Sequence, residues 1–279
     1  MKLLRYGPPG SEKPGLLDEQ GRVRDLSAHL TDLTPESLAE DRLARLRAID
    51  PASLPLVNES VRLGVPVAGI RQCVAIGLNY RKHAMEANMP IPEEPVIFFK
   101  AITSLSGAND DIVLPPQSKA TDWEIELAIV IGRKAQRIAE AQALDYVAGY
   151  AIANDVSERD WQIKRGGQWS KGKSFDSFCP LGPWLVTRDE IRNPQGLAVE
   201  LKVNGAVKQS SSTEDMIFSC ARIVSYVSQF MTLLPGDAII TGTPGGVGVA
   251  RKPQEFLKGG DTVSLRISGL GEQTQRVVG

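Results

Sequence analysis

From Cys73 onward the chain is a succession of short apolar runs cut by turn residues: "CVAIGLNY", "PVIFFKA", "DIVLP", "IELAIVIG", "VAGYAIANDVS", "LGPWLVT", "LAVELKVNG", "DAIITGTP" and "DTVSLRISGLG". Runs of roughly four to eight residues bounded by Gly, Pro, Asn and Asp have the length of strands and are short for core helices. The 26 glycines and 18 prolines supply the punctuation. "LAVELKVNGAVKQ" is expected to be a hairpin turning at Asn204-Gly205. Helices are expected in "YRKHAMEANM", "AEAQALDYV" and "TEDMIFSCARIVSYVSQFM". The last places Met216, Ile217, Cys220, Ile223, Val224 and Val227 on one core-facing stripe. The pattern predicts a mainly β domain with a few helices, of the α+β class.

Upstream, "MKLLRYG" and "KPGLLDEQGRVRDLS" read as short strands joined by a "DEQG" turn, and "TPESLAEDRLARLRAI" as a helix starting at Thr34-Pro35-Glu36. "PASLPLVNESVRLGVPVAG" reads as a linker. These set a small N-terminal domain at 1–65 and a catalytic domain at 66–279. With 32 basic and 33 acidic residues the net charge is −1, which argues against a nucleic-acid partner or an anionic membrane surface. Cys73, Cys179 and Cys220 are odd in number and lack CxxC spacing, so they read as reduced core residues. "MKLLRYGPPG" has no signal-peptide apolar region, and no apolar run approaches the roughly 18 to 20 residues of a membrane span. The expectation is a soluble cytoplasmic protein.

In the run "DWEIELAIVIG", Glu124 and Glu126 place two carboxylates in an apolar strand. Side chains alternate along a strand, so Glu124 and Glu126 share a face with Ala128 and Val130, while Ile125, Leu127, Ile129 and Ile131 share the other. Adjacent like charges in a partly buried setting repel and are costly to desolvate. Three outcomes relieve this: a solvated face, a protonated glutamate, or a cation between them. "VAGYAIANDVSERD" brings Asp155 to the end of another apolar run, where it serves either as a turn cap or as a third carboxylate. An all-oxygen trio suits Mg²⁺, Mn²⁺ or Ca²⁺ better than zinc.

Three further segments carry candidate chemistry. In "GLNYRKHAMEANM", His83 and Glu86 are neighbours on a helix and form either an ordinary surface pair or an oriented general base. "WSKGKSFDSFCPLGPW" offers Lys171 and Lys173 as solvated loop lysines or as cations for a developing oxyanion. In "PGDAIITGTPGGVG", Gly246 and Gly248 permit close backbone approach, and Thr241, Gly242 and Thr243 offer donors for a substrate carboxylate. The segment is not a phosphate-binding P-loop, since no GKS or GKT follows.

Together "IGLNYRKHA", "PVIFFKAITSLSG", "DWEIELAIVIG", "GYAIANDVSERDWQ", "GKSFDSFCPLGPW" and "LLPGDAIITGTPGGVG", spanning residues 74 to 248, resemble the bacterial branch of the fumarylacetoacetate hydrolase superfamily, and "FLKGGDTVSLRISGLG" fits its tail. The resemblance implies a distorted β-roll of mixed sheets with a small N-terminal α/β domain, usually as a homodimer. It implies Glu124, Glu126 and Asp155 as ligands of a divalent ion, commonly Mg²⁺. It implies His83 and Glu86 as a water-activating lid dyad and Lys173 as the enolate- or oxyanion-stabilising cation. Arg159, Gln162 and Thr243 match substrate-contacting positions.

The activity so implied is hydrolysis of a carbon–carbon bond in a 2,4-diketo acid to pyruvate and a second carboxylic acid. The substrate would be an acylpyruvate or, from the N-terminal "KLLRYG…PGLLDE…VRDLS", a 2,4-diketo-3-deoxy sugar acid such as the rhamnonate or fuconate derivative. Lyase chemistry on the same enolate (oxaloacetate decarboxylation or ureidoglycolate cleavage), a hydroxydienedioate isomerase or decarboxylase, and a non-catalytic metal-dependent binding protein are the alternatives.

Overall fold

The computed structural model describes residues 1–57 and 60–279. Asn58 and Glu59, inside the expected linker, lie outside the described residues. Among the described residues the largest sheet has ten strands. Its order runs Val23–Asp25, Lys13–Leu17, Lys2–Tyr6, Cys179–Thr187, Val147–Asn154, Ile125–Ile131, Ala238–Ile240, Cys73–Gly77 and Val96–Lys100, with Leu105–Gly107 paired to Cys179–Thr187. A second sheet stacks Ala206–Ser212, Ala198–Val203, Thr262–Ile267, Gly271–Val278 and Ile112–Val113. Most neighbours are antiparallel, while Ala238–Ile240 with Cys73–Gly77, Leu105–Gly107 with Cys179–Thr187 and Gly271–Val278 with Ile112–Val113 are parallel, so the fold is mixed α+β as expected.

The central strand Ile125–Ile131 is buried along its whole length because both faces are covered. Ile125, Leu127, Ile129 and Ile131 join a core with Val199, Leu201 and Val203 of the second sheet and with Cys220, Ile223, Val224 and Val227 of the helix Cys220–Phe230. Ala128 and Val130, on the glutamate face, join a second core with Leu33, Leu38, Leu43 and Leu46. The segment expected as an N-terminal domain thus continues the large sheet through Lys2–Tyr6 and covers the apolar end of the face that carries Glu124 and Glu126.

Several expected elements differ in detail. The helix over "TEDMIFSCARIVSYVSQFM" spans only Cys220–Phe230, because Ser219 caps it by accepting from the Arg222 amide at 3.1 Å. The start of the expected helix is a separate 3₁₀ turn, Thr213–Asp215, and Met216 after it forms a β-bridge with Tyr80 and is still buried in the core. "AEAQALDYV" forms a 3₁₀ segment, Glu140–Tyr146. The helix begun at Pro35 is interrupted where Ala39 is extended and resumes over Glu40–Arg47. The hairpin turns at Asn204 and Gly205, with φ of 50° and 79°, the left-handed pair a two-residue type I′ turn requires. All three cysteines are free and buried. No helix among the described residues is long and apolar enough to cross a membrane.

Candidate active site

The polar end of the strand Ile125–Ile131 holds the site. Glu124 and Glu126 project from it, and the antiparallel neighbour Val147–Asn154 delivers Asp155 beside them, its amide donating to the Glu124 carbonyl at 2.8 Å. One carboxylate oxygen from each of Glu124, Glu126 and Asp155 lies within 4.8 Å of the others, and all three residues are buried. Asp155 is therefore one of a carboxylate trio as well as a strand end.

Three buried cations face the trio. Lys173 Nζ donates to Glu124 Oε2 at 2.7 Å and to Asp155 Oδ2 at 2.6 Å. Lys100 Nζ donates to Asp155 Oδ1 at 2.5 Å. Arg159 Nη2 lies 2.7 Å from Glu124 Oε1 and 2.7 Å from Asp122 Oδ2. Burial works against the charge on Glu124, but Lys173, Arg159 and His83 outweigh it and bring its carboxyl down to about 2. Glu126 behaves oppositely. Burial, Asp155 and Glu124 push its carboxyl well above the usual range, and its hydrogen-bond donor is the Gly242 amide at 2.7 Å. Glu126 is thus the carboxylate whose charge the protein's own cations leave least compensated. A divalent ion bound by the three carboxylates would supply that compensation, and their hard oxygens fit such an ion.

A cavity of about 320 Å³ opens onto these groups. His83, Glu124, Glu126, Arg159, Gln162, Lys173 and Thr243 all line it, so seven of the nine expected site residues share one space. Glu86 sits behind His83, with its Oε2 3.7 Å from His83 Nδ1, too far for a hydrogen bond. That carboxylate instead accepts from the Gly246 amide at 2.8 Å. Burial opposes ionisation of Glu86, but His83, the Gly246 amide and Arg251 outweigh it and hold its carboxyl below the usual range. Lys171 is exposed and turns away to the Arg165 carbonyl.

The loop donors expected for a substrate carboxylate are largely committed inside the protein. The Thr241 hydroxyl donates to the Leu127 carbonyl at 2.9 Å, the Gly242 amide to Glu126, and the Thr243 hydroxyl to the Ile125 carbonyl at 2.9 Å. Gln209 locks this loop by donating to Thr243 Oγ1 and to the Pro244 carbonyl, each at 2.8 Å. Gly246 is required twice: its φ is +107°, and a Cβ there would lie 2.1 Å from the Lys208 carbonyl oxygen.

Two participants escaped the sequence reading. Asp122 is fully buried; it accepts from the Gly248 amide at 2.7 Å and the Val249 amide at 3.0 Å while holding the Arg159 guanidinium. Its signal was its position two residues before Glu124. Lys100 ends the apolar strand Val96–Lys100, and a lysine 2 % exposed on the same face as Phe98 is the same kind of anomaly as the two glutamates.

The fumarylacetoacetate (FAA) hydrolase C-terminal family matches residues 72–278, and the chain belongs to that family. A protein of Burkholderia orbicola (strain MC0-3), provisionally named a hydrolase, is 58% identical over 277 residues, 99% of this chain and 98% of that one. Two solved structures are also similar over 100% of this chain. One is 2-hydroxyhepta-2,4-diene-1,7-dioate isomerase from Mycobacterium marinum, 36% identical with a TM-score of 0.75 over 98% of its length. The other is maleylpyruvate hydrolase from Sphingobium sp. SYK-6 in complex with manganese(II) ion and pyruvate, 28% identical with a TM-score of 0.83 over 99% of its length.

Proposed function

We propose that this protein hydrolyses a carbon–carbon bond of a 2,4-diketo acid, releasing pyruvate and a second carboxylic acid, with Glu124, Glu126 and Asp155 holding a divalent ion, Mg²⁺ or alternatively Mn²⁺ or Ca²⁺. The observation that carries the reading is that Glu124 and Glu126, clustered with Asp155 in one carboxylate trio, share a cavity with His83 and Lys173. When bound, the ion supplies Lewis-acid polarisation of the substrate's carboxylate and 2-oxo oxygens.

The chain's own groups account for the rest. His83 takes a proton from water, and the hydroxide adds to the 4-carbonyl carbon. Glu86, three residues on along the helix Arg81–Glu86, orients the imidazole once a side-chain rotation shortens the 3.7 Å separation. Lys173 spends two of its three N–H donors on Glu124 and Asp155, leaving one for the oxyanion at C4. The C3–C4 bond then breaks, its electron pair passes to the pyruvate enolate, and protonation at C3 gives pyruvate. Arg159 and Gln162, joined by a 2.9 Å hydrogen bond, border the substrate. The same reading includes a homodimer, which sedimentation equilibrium tests.

The test is pyruvate release from diketo acids with Mg²⁺ or Mn²⁺, abolished in Glu124→Ala and His83→Ala. A second reading, isomerase or lyase chemistry on the same enolate, is favoured by the similarity to the M. marinum isomerase and by the separated His83 and Glu86. Turnover in ¹⁸O-labelled water separates them: label enters the acid product of a hydrolase only.

A further inference from the structure

The cavity has two unlike ends. Its polar end is charge-paired, with one Lys173 N–H left for the reacting oxygen. Both reachable cations, Arg159 and Lys173, are already engaged by Asp122, Glu124, Asp155 and Gln162. The Thr243 hydroxyl is committed to the Ile125 carbonyl. The remaining wall is apolar: Ile76, Leu78, Met89, Phe98, Ile163 and Trp169. Trp169 stands edge-on to Phe98, with ring centroids 5.5 Å apart, and reaches this position because residue 77 is glycine; a Cβ there would lie 2.4 Å from the Trp169 ring. Phe98 in turn lies 5.3 Å from Lys173 Nζ, so the apolar wall begins where the reacting carbonyl would sit.

From this lining we infer that the acyl arm of the substrate is apolar and uncharged: an acylpyruvate carrying a short alkyl or aryl group against Ile76, Phe98 and Trp169. The inference rests on the diketo-acid reading for its chemistry and on the cavity lining for its specificity. Among the described residues that line the cavity, every Arg and Lys is already paired, so a second carboxylate would lie against apolar side chains or compete with an existing ion pair. A polyhydroxylated arm would bury its hydroxyls against carbon. The sugar-acid substrate suggested by the N-terminal resemblance is therefore disfavoured.

The experiment measures pyruvate release by the Mn²⁺-loaded protein from acetyl-, butanoyl- and hexanoylpyruvate, succinylpyruvate and a 2,4-diketo-3-deoxy sugar acid. In parallel, calorimetry follows binding of straight-chain 2-oxo acids of increasing length. The expected result is a rise in kcat/KM and in affinity of about fourfold per methylene. Succinylpyruvate and the sugar acid should fall about tenfold or more below the alkyl substrate of equal length. In Trp169→Ala the gain per methylene should drop below about twofold. A flat length series, or a sugar acid cleaved best, overturns the inference. If no diketo acid is cleaved while 2-oxo acid affinity still climbs with length, the reaction assignment fails and the apolar subsite stands.

Discussion

Lys100 and Lys173 clasp Asp155 from its two sides, one ammonium 2.5 Å from Oδ1 and the other 2.6 Å from Oδ2. All three side chains are buried. Lys100 also donates to the Val156 and Lys173 carbonyls, so its three donors are all spent within the protein. Removing Lys100 leaves Asp155 Oδ1 and two carbonyls without that buried donor, with Lys173 still held at Oδ2. Lys100→Met should destabilise the protein by about 3–5 kcal/mol in urea unfolding. Lys100→Met combined with Asp155→Asn should cost clearly less than the sum of the single changes. Strict additivity would show that the pair is not coupled.

Glu126 supplies a test of ion binding that needs no substrate. A divalent ion that binds only the folded protein should raise its stability by about 2.7 kcal/mol when present at a hundredfold excess over its Kd. Thermal melts with and without Mn²⁺ should show this shift for the wild type and lose most of it in Glu126→Gln. Without the ion, Glu126→Gln should match or exceed the wild type in melting temperature, because burial already disfavours the Glu126 charge. An equal Mn²⁺ shift in both proteins would place the ion elsewhere.

Glu86 touches His83 and the Gly246 amide and does not line the cavity. Its contribution should therefore appear in the chemical step. Glu86→Gln should lower kcat about 100-fold or more with little change in KM. A change confined to KM would assign Glu86 to substrate binding instead.

Acid stability should depend on the N-terminal hairpin. Asp18 accepts from the Gln20 and Arg22 amides and from Arg22 Nε and Arg24 Nε, and Arg24 reaches on to the Leu54 carbonyl. Burial works against the Asp18 charge, but the Arg22 amide and the two guanidinium groups outweigh it and bring the carboxyl down from 3.8 to about 2. A lowered carboxyl stabilises the folded state above its unfolded value, and that contribution disappears as pH falls toward the folded one. Urea unfolding of wild type and Asp18→Asn should differ most near about pH 5 and converge by about pH 2. A constant gap across that window would refute the assignment.

The sequence made legible those features that depend on local pattern. Period-two alternation placed Glu124 and Glu126 together, and Asn204-Gly205 declared its own turn. Helix ends were less legible because tertiary contacts decide them: Met216 pairs with Tyr80 in an isolated bridge, which separates the 3₁₀ turn Thr213–Asp215 from the helix Cys220–Phe230. The commitment of the Thr241–Thr243 donors was invisible because it depends on Glu126 and Ile125, more than 110 residues away in the chain. Lys100 and Asp122 carried a readable signal, a charged residue within or flanking an apolar strand, of the same kind as the one that exposed the two glutamates.

The loop 241–249 is bonded at once to Glu126, to Glu86 and to the Asp122–Arg159 pair. A substitution there disturbs the ion ligands, the base and the guanidinium together. Ile76, Met89, Ile163 and Trp169 have no such polar side-chain obligations and can change volume one at a time. The cavity therefore has a half that must be inherited intact and a half that is free to drift. New substrate preferences in descendants of this chain should arise by repainting the apolar wall while the catalytic end stays constant.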